Sequence, residues 1–164
     1  MKKILLLLLI TITLSGCEKD DVCTQETTPR LVIEFYDITN PANLKPVLNL
    51  KVKGVGQTDD LGTFNAVSKI ALPLKIDDLT TKYSLIINSL STTLANEDFL
   101  QFDYSHQNVF VSRACGYKTI FTLDSPNGVT KTDAVIPDTF WIQDISIQTT
   151  NITTENETHI KIYF

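Results

Sequence analysis

Apolar and polar residues alternate along much of the chain, and this period of two predicts β-strands. The clearest runs are residues 30–37, 68–76 and 158–164, in which nearly every second residue is apolar. Less regular runs of the same kind are 46–53, 82–89, 98–104, 108–113, 117–123 and 141–149. Pro73 has no N–H to donate to a neighbouring strand, so its run is predicted to be an edge strand or to contain a bulge.

Turn-forming residues separate these runs and set the predicted fold. Clusters of Gly, Pro, Asn and Asp occur at 39–43, 54–62, 77–78, 124–128 and 153–157, and 54–62 is expected to be a long loop. No segment has the pattern of a convincing amphipathic helix. About nine short strands therefore predict an all-β domain over residues 30–164, an antiparallel β-sandwich that is immunoglobulin-like in general architecture. A small β-barrel is the alternative.

The amino terminus differs in character from the rest. Two lysines precede a short, almost wholly apolar stretch that ends in Leu14-Ser15-Gly16-Cys17. This order is typical of a lipoprotein signal peptide over residues 1–16, followed by a cysteine whose thiol receives a diacylglyceryl group. Two or three acyl chains anchor a protein stably. Residues 17–29 are then expected to be a lipidated tether, and the alternative is an ordinary secretory signal with a chance cysteine at position 17.

Charged residues follow the candidate lipidation site. Lys19, Asp20 and Asp21 resemble the export signal that carries Bacteroidetes lipoproteins to the cell surface. The resemblance implies an outer-membrane protein with palmitate-type acylation that faces outward. The alternatives are a location on the periplasmic leaflet and a simple solvated tether.

Two cysteines remain once Cys17 carries lipid. Cys23 and Cys115 are an even number of thiols in an oxidising compartment, which favours a disulfide. In the chain-entropy model, a disulfide that closes a loop of about 90 residues raises the free energy of unfolding by roughly 4–5 kcal/mol. Two unpaired thiols are the alternative.

Charge limits the possible partners. Without residues 1–16 the chain keeps 148 residues, and losing two of its 14 basic residues against 19 acidic ones changes the net charge from −5 to −7. Such a domain is a poor candidate for binding nucleic acid or anionic lipid. The expected membrane attachment is through the lipid on Cys17, and the expected partner is another envelope protein or a glycan.

Residues that could support catalysis or metal binding are scattered. His106 is predicted at a hairpin tip and His159 on the outward face of the last strand. Acidic pairs occur at 59–60, 77–78 and 97–98, without the regular ligand spacing of a calcium loop. No motif for a nucleophile, phosphate or cofactor is present, so no catalytic residue, cofactor or metal is assigned.

Three residues are candidates for binding. Arg113 and Lys118 flank Cys115 and could contact an anion, although a structural role is preferred, for example Arg113 paired with Glu34. Trp141 could anchor a partner, although a lone tryptophan in a sandwich more often lies in the core.

Five segments are distinctive when taken together: "CEKDDVC", "TPRLVIEFYD", "VFVSRACGYKTIFTL", "WIQDI" and "HIKIYF". They resemble a family of uncharacterised Bacteroidetes (flavobacterial-type) lipoproteins, known as a domain of unknown function. The resemblance implies an exported lipoprotein, supports the pairing of Cys23 with Cys115, and brings no activity. The resulting hypothesis is a non-catalytic, lipid-anchored binding or structural accessory module. The alternatives are an envelope hydrolase with a carboxylate-based site and a subunit of a larger outer-membrane complex.

Overall fold

A computed structural model describes Cys23 and residues 26–164. The predicted signal peptide, the lipidation site Cys17 and the export signal at Lys19, Asp20 and Asp21 lie outside the described residues. None of the described residues forms a helix that could cross a bilayer.

The described chain is all-β, as predicted, and its eleven strands form two sheets. The strands are β1 (Leu31–Tyr36), β2 (Leu50–Gly54), β3 (Asp60–Phe64), β4 (Lys69–Leu72), β5 (Thr80–Ile87), β6 (Asn96–Ser112), β7 (Gly116–Leu123), β8 (Val129–Asp133), β9 (Asp144–Ile147), β10 (Asn151–Ile152) and β11 (Ile160–Tyr163). The first sheet has the order β4-β1-β11-β9, and the second has the order β10-β7-β6-β5-β2-β3 with β8 also paired to β6. Neither sheet closes on itself, which favours the predicted sandwich over the barrel.

The last strand lies inside the first sheet. β11 pairs in parallel with β1 and antiparallel with β9, so β1–β11 departs from the antiparallel pairing that the sequence predicted. Ile160 and Ile162 are fully buried and face a core to which both sheets contribute. A strand between two neighbours with buried side chains contributes much of the apolar burial that stabilises a sandwich.

Aromatic side chains fill the core beside β11. Trp141 is buried between Phe35 and Phe164, with ring centroids 6.3 and 5.6 Å away, and its Nε1–H donates to the carbonyl of Leu85 at 3.1 Å. The burial assigns Trp141 to the core, as the sequence interpretation preferred. Trp141 is therefore a core residue and not a candidate for binding a partner.

β6 is the longest strand and changes partners midway. Its first half pairs with β5 on one side and β8 on the other, whereas Tyr104–Ser112 pairs with β7. The two runs predicted at 98–104 and 108–113 are therefore one strand, and the prediction of His106 at a hairpin tip was wrong. The polar residues between the runs continue the strand because their backbone groups pair with β7.

His159 is also misplaced by the sequence prediction, because it is fully buried rather than outward. It precedes β11, and its Nδ1 accepts a hydrogen bond from the backbone N–H of Val32 at 2.8 Å. The ring thus takes the place of a backbone acceptor beside β1, and the alternation of the strand does not extend to it.

Candidate functional site

A groove opens between the β2–β3 turn and the segment that joins β4 to β5. Its volume is about 430 Å³. One wall is formed by residues 54–61 and the other by residues 73–75, with residues 81–83 beneath. An edge strand of each sheet borders the groove, because β3 is the last strand of the second sheet and β4 is the last strand of the first.

The floor of the groove is held by a hydrogen-bonded network. The Tyr83 hydroxyl donates to the carbonyl of Pro73, and the Tyr104 hydroxyl donates to the carbonyl of Lys75 at 2.9 Å. The Thr81 hydroxyl lies 2.6 Å from that of Tyr104 and accepts from the Lys75 backbone N–H at 3.0 Å. Satisfied polar groups in a buried network hold the segment in one position. The floor is therefore a preformed surface.

Burial makes the floor unsuited to proton transfer near neutral pH. Desolvation raises the pKa of Tyr83 to about 12, with a smaller contribution from Tyr104. A hydroxyl with that pKa keeps its proton and serves as a hydrogen-bond donor.

The rims carry charges of both signs beside apolar side chains. Lys51 Nζ lies 3.0 Å from Asp60 Oδ2, and Asp59 next to it is exposed. Val55 and Leu61 are exposed in the same wall. The rims therefore offer both ionic and apolar contacts to a bound molecule.

On the opposite wall, formed by residues 73–75, an ion pair holds the side chain of Lys75 in place. Lys75 Nζ lies 3.2 Å from Asp78 Oδ2, and the hydrogen bond from Lys75, followed by that from the Leu79 N–H, lowers the pKa of the Asp78 carboxyl. This carboxylate stays ionised and keeps the lysine beside the groove.

The acidic pairs noted in the sequence have structural partners in several cases. Glu97 accepts a hydrogen bond from the Ser84 hydroxyl, and Asp60 and Asp78 form the ion pairs above. Within residues 26–164 and Cys23, no group of three or more His, Cys, Asp or Glu side chains lies close enough to hold a metal ion.

Asp98 has a buried carboxylate that lies outside the groove. The sequence indicated this residue only as part of the acidic pair at 97–98. Its Oδ2 accepts the backbone N–H of Ile142 at 2.7 Å, and its Oδ1 has no partner in the described structure. Burial raises its pKa to about 6, against the opposing hydrogen bond from Ile142. Lys131 donates to the carbonyls of Ile142 and Gln143, so both side chains hold the segment that carries Trp141. Asp98 lies two residues before the inward-facing Leu100 on β6, and alternation along a strand predicts that both side chains face inward.

Cys23 and Cys115 form a disulfide across a sequence separation of 92, with their Cα atoms 4.9 Å apart. Cys115 lies in the turn between β6 and β7, which begins after Ser112 and ends at Gly116 with φ of 71°. The bridge therefore joins the amino-terminal segment to the tip of this hairpin.

Arg113 and Lys118 lie on the same hairpin but have different surroundings. Arg113 is exposed and has no hydrogen bond or ion pair with any described residue, and its expected partner Glu34 instead faces Lys69 at 3.6 Å. The prediction of an Arg113–Glu34 pair was therefore wrong. Lys118 Nζ donates to the carbonyl of Thr153 at 3.3 Å and lies 4.0 Å from Glu26.

Residues 26–30 contact the domain. Thr28 Oγ1 accepts the backbone N–H of Thr119 at 3.0 Å, and Arg30 Nη2 donates to Glu155 Oε2 at 2.6 Å. The end of the expected tether that the structure describes, residues 26–29, is therefore in contact with the sheets, and the chain continues from it into β1.

Comparison with known proteins gives two matches. The signature of a prokaryotic membrane lipoprotein lipid attachment site matches residues 1–17, which confirms that feature of the sequence prediction. A family of unknown function (DUF6452) matches residues 49–164. No curated protein and no solved structure matches the chain. The expected family of unknown function and the expected lipid attachment site are both found, and neither match bears on the expected Bacteroidetes origin. Because the second match covers well over half of the chain, the protein belongs to the family of unknown function DUF6452.

Proposed function

We propose that this protein is a non-catalytic accessory module of the cell envelope, held to the outer membrane by lipid on Cys17, which binds a segment of another envelope protein in the groove beside β3. The observation that carries the proposal is the combination of a lipid attachment site with a preformed groove between two open sheet edges.

The anchor rests on the amino-terminal match. Cleavage before Cys17 removes residues 1–16, and residues 17–29 link the acylated cysteine to the β domain over residues 30–164. Two or three acyl chains are sufficient for stable attachment to a bilayer. Lys19, Asp20 and Asp21 are proposed to direct the anchored protein to the outer face of the outer membrane, in the manner of the Bacteroidetes lipoproteins that their order resembles.

The chemistry of the groove favours a peptide segment as its ligand. Exposed apolar Val55 and Leu61 lie beside charges of both signs, an arrangement that suits alternating side chains of an extended chain. On its outer side, β3 has no neighbouring strand among the described residues, so its backbone could also receive an added strand. Tyr83, the aromatic residue of the floor, is buried and leaves no open ring for a sugar to stack on. A glycan is therefore the second choice of ligand, and no specific observation favours the hydrolase alternative.

Photo-crosslinking in the native envelope tests this proposal. A photoreactive amino acid at Leu61, in the groove wall, is expected to give one discrete protein adduct that mass spectrometry identifies. The matched control is the same amino acid at Leu90, another exposed leucine in a turn remote from the groove. Equal labelling at both positions, or no protein adduct at Leu61, would contradict the proposal, and an adduct containing sugar would indicate a glycan ligand.

A further inference from the structure

The end of the β6–β7 hairpin extends beyond the core with aromatic side chains exposed. We define the hairpin tip as residues 108–118. Tyr104 is buried on the inward face of β6, but Phe110, three alternations further along the same face, is 56% exposed. Tyr117 opposite it is 70% exposed, and the two rings meet edge to face with centroids 5.4 Å apart. The inward face of the sheet is thus left uncovered at this end.

The part of the hairpin in which β6 pairs with β7 has no acidic side chain of its own. From Tyr104 to Leu123 there is no Asp or Glu, although the whole chain has 19 of them. The same stretch includes Arg113 in the turn and Lys118 beside it. Glu26 of the tether lies 4.0 Å from Lys118, whereas Arg113 has no acidic partner among the described residues. Arg113 is therefore the cation of the tip that is available to an anion.

The disulfide fixes the distance between this tip and the lipid. Six residue steps separate Cys17 from Cys23, and a fully extended chain spans at most about 20 Å over that length. Cys23 and Cys115 have Cα atoms 4.9 Å apart. The tip of the hairpin is consequently held within about 25 Å of the acylated residue. Asn96, at the other end of the 17-residue strand β6, is separated from residue 108 of the tip by twelve residue steps, or about 40 Å along a straight strand.

We propose that the hairpin tip is a membrane-contact surface that rests on the headgroup layer of the leaflet that holds the lipid anchor, with the rings of Phe110 and Tyr117 in the interface and the Arg113 guanidinium on a lipid phosphate. Tyr117 suits the headgroup level because its ring is apolar and its hydroxyl is polar, and the Phe110 ring beside it would bury apolar surface there. A guanidinium binds phosphate through paired hydrogen bonds. The length of the tether brings this surface, rather than the turn at Leu90, to the bilayer. The inference rests on the proposed anchor at Cys17, and it gives the disulfide a second role in setting the orientation of the domain.

Fluorescence quenching tests the contact in the full lipidated protein. The protein is reconstituted into vesicles of phosphatidylethanolamine and phosphatidylglycerol, with and without bromine on the upper acyl carbons. Tyr117→Trp adds an indole at the tip, and Leu90→Trp adds one at the opposite end of β6 as the matched control. The native Trp141 is common to both variants, and its signal is measured in the unsubstituted protein.

We expect brominated lipid to reduce the added fluorescence of Tyr117→Trp and to leave that of Leu90→Trp unchanged. Equal quenching of the two indoles, or none for Tyr117→Trp, would overturn the proposal. Flotation of the vesicles separates the two hypotheses: a protein that does not float refutes both the anchor and the contact, whereas one that floats without quenching refutes the contact alone.

Removal of the bridge tests its orienting role. In the Tyr117→Trp background, Cys23→Ser with Cys115→Ser keeps the lipid and removes the covalent link between tether and tip, so that Thr28 and Glu26, of the described residues, hold the tether on the hairpin. Circular dichroism checks that this variant is folded. Quenching is expected to fall, whereas quenching equal to that of the bridged protein would overturn this part of the proposal.

Discussion

The carboxyl group of Asp98 should make the stability of this protein depend on pH in a direction opposite to that of most carboxylates. Burial raises its pKa from 3.8 to about 6 in the folded protein. A group with a raised pKa stabilises the fold below its unfolded value, and this stabilisation is lost as the pH rises through the folded value. Asp98 therefore favours folding when protonated and opposes it when ionised.

The size of the effect follows from the two pKa values. The full difference corresponds to about 3 kcal/mol, of which about 1.4 kcal/mol is lost between about pH 5 and pH 8. Lys131 and the Ile142 N–H already lower the pKa, and the neighbouring Asp133 raises it. The folded protein thus reaches alkaline pH with a buried charge that these groups only partly offset.

Asp98→Asn removes this charge and keeps an oxygen for the Ile142 N–H. Urea unfolding at the two pH values should show that the variant gains about 1.4 kcal/mol relative to the native protein as the pH rises from about 5 to 8. The comparison between variants is needed because burial lowers the pKa of His159, which changes stability in the opposite direction in this range.

Asp103→Asn, the same substitution at a half-buried position on the same strand, controls for the chemistry of the change. If Asp98→Asn and the native protein showed parallel stability profiles across this range, the assignment of a raised pKa to a buried Asp98 would be refuted.

Three further predictions concern stability. Cys23→Ser with Cys115→Ser should lower the free energy of unfolding by up to about 4–5 kcal/mol in urea, and an unchanged midpoint would contradict the role of the bridge. Deletion of residues 160–164 should leave little soluble protein, because β11 lies between two strands; normal yield would count against this topology. His159→Ala should lower the free energy of unfolding by about 1–3 kcal/mol, because the Val32 N–H loses its acceptor. The stabilisation that His159 provides is complete above the pKa of the unfolded protein and is lost as the pH falls through the lowered pKa of the folded ring. The difference between the variant and the native protein in urea unfolding should therefore become smaller at low pH.

The strands with regular alternation were predicted from sequence, and those with weak patterns were not. Residues 30–37 and 158–164 contain β1 and β11 because apolar residues at every second position face a common core. The prediction of a loop over the whole of 54–62 was wrong, because β3 begins at Asp60. Asp59, Asp60 and Gly62 are typical of turns, and Gly62 has φ of 113° within the strand. β8 and β10 are short and mostly polar at the surface, so their pattern carries little signal.

The groove could not be predicted because it is a product of tertiary packing. Its walls come from segments about twenty residues apart in sequence, and its floor depends on hydrogen bonds from Tyr83 and Tyr104 to carbonyls of the β4–β5 connection. A backbone acceptor has no signature in a sequence. The pairing of Cys23 with Cys115 was accessible from sequence because, once Cys17 is assigned to lipid, two cysteines remain.

Mass spectrometry of the mature amino terminus, purified from fractionated membranes, tests the central claim most directly. We expect the first residue to be Cys17 with a diacylglyceryl group and fatty acyl chains, recovered in the outer-membrane fraction, and Cys17→Ser to be unprocessed or released from the membrane. An uncleaved or lipid-free chain, or a Cys17→Ser variant that is cleaved and still membrane-bound, would contradict the account.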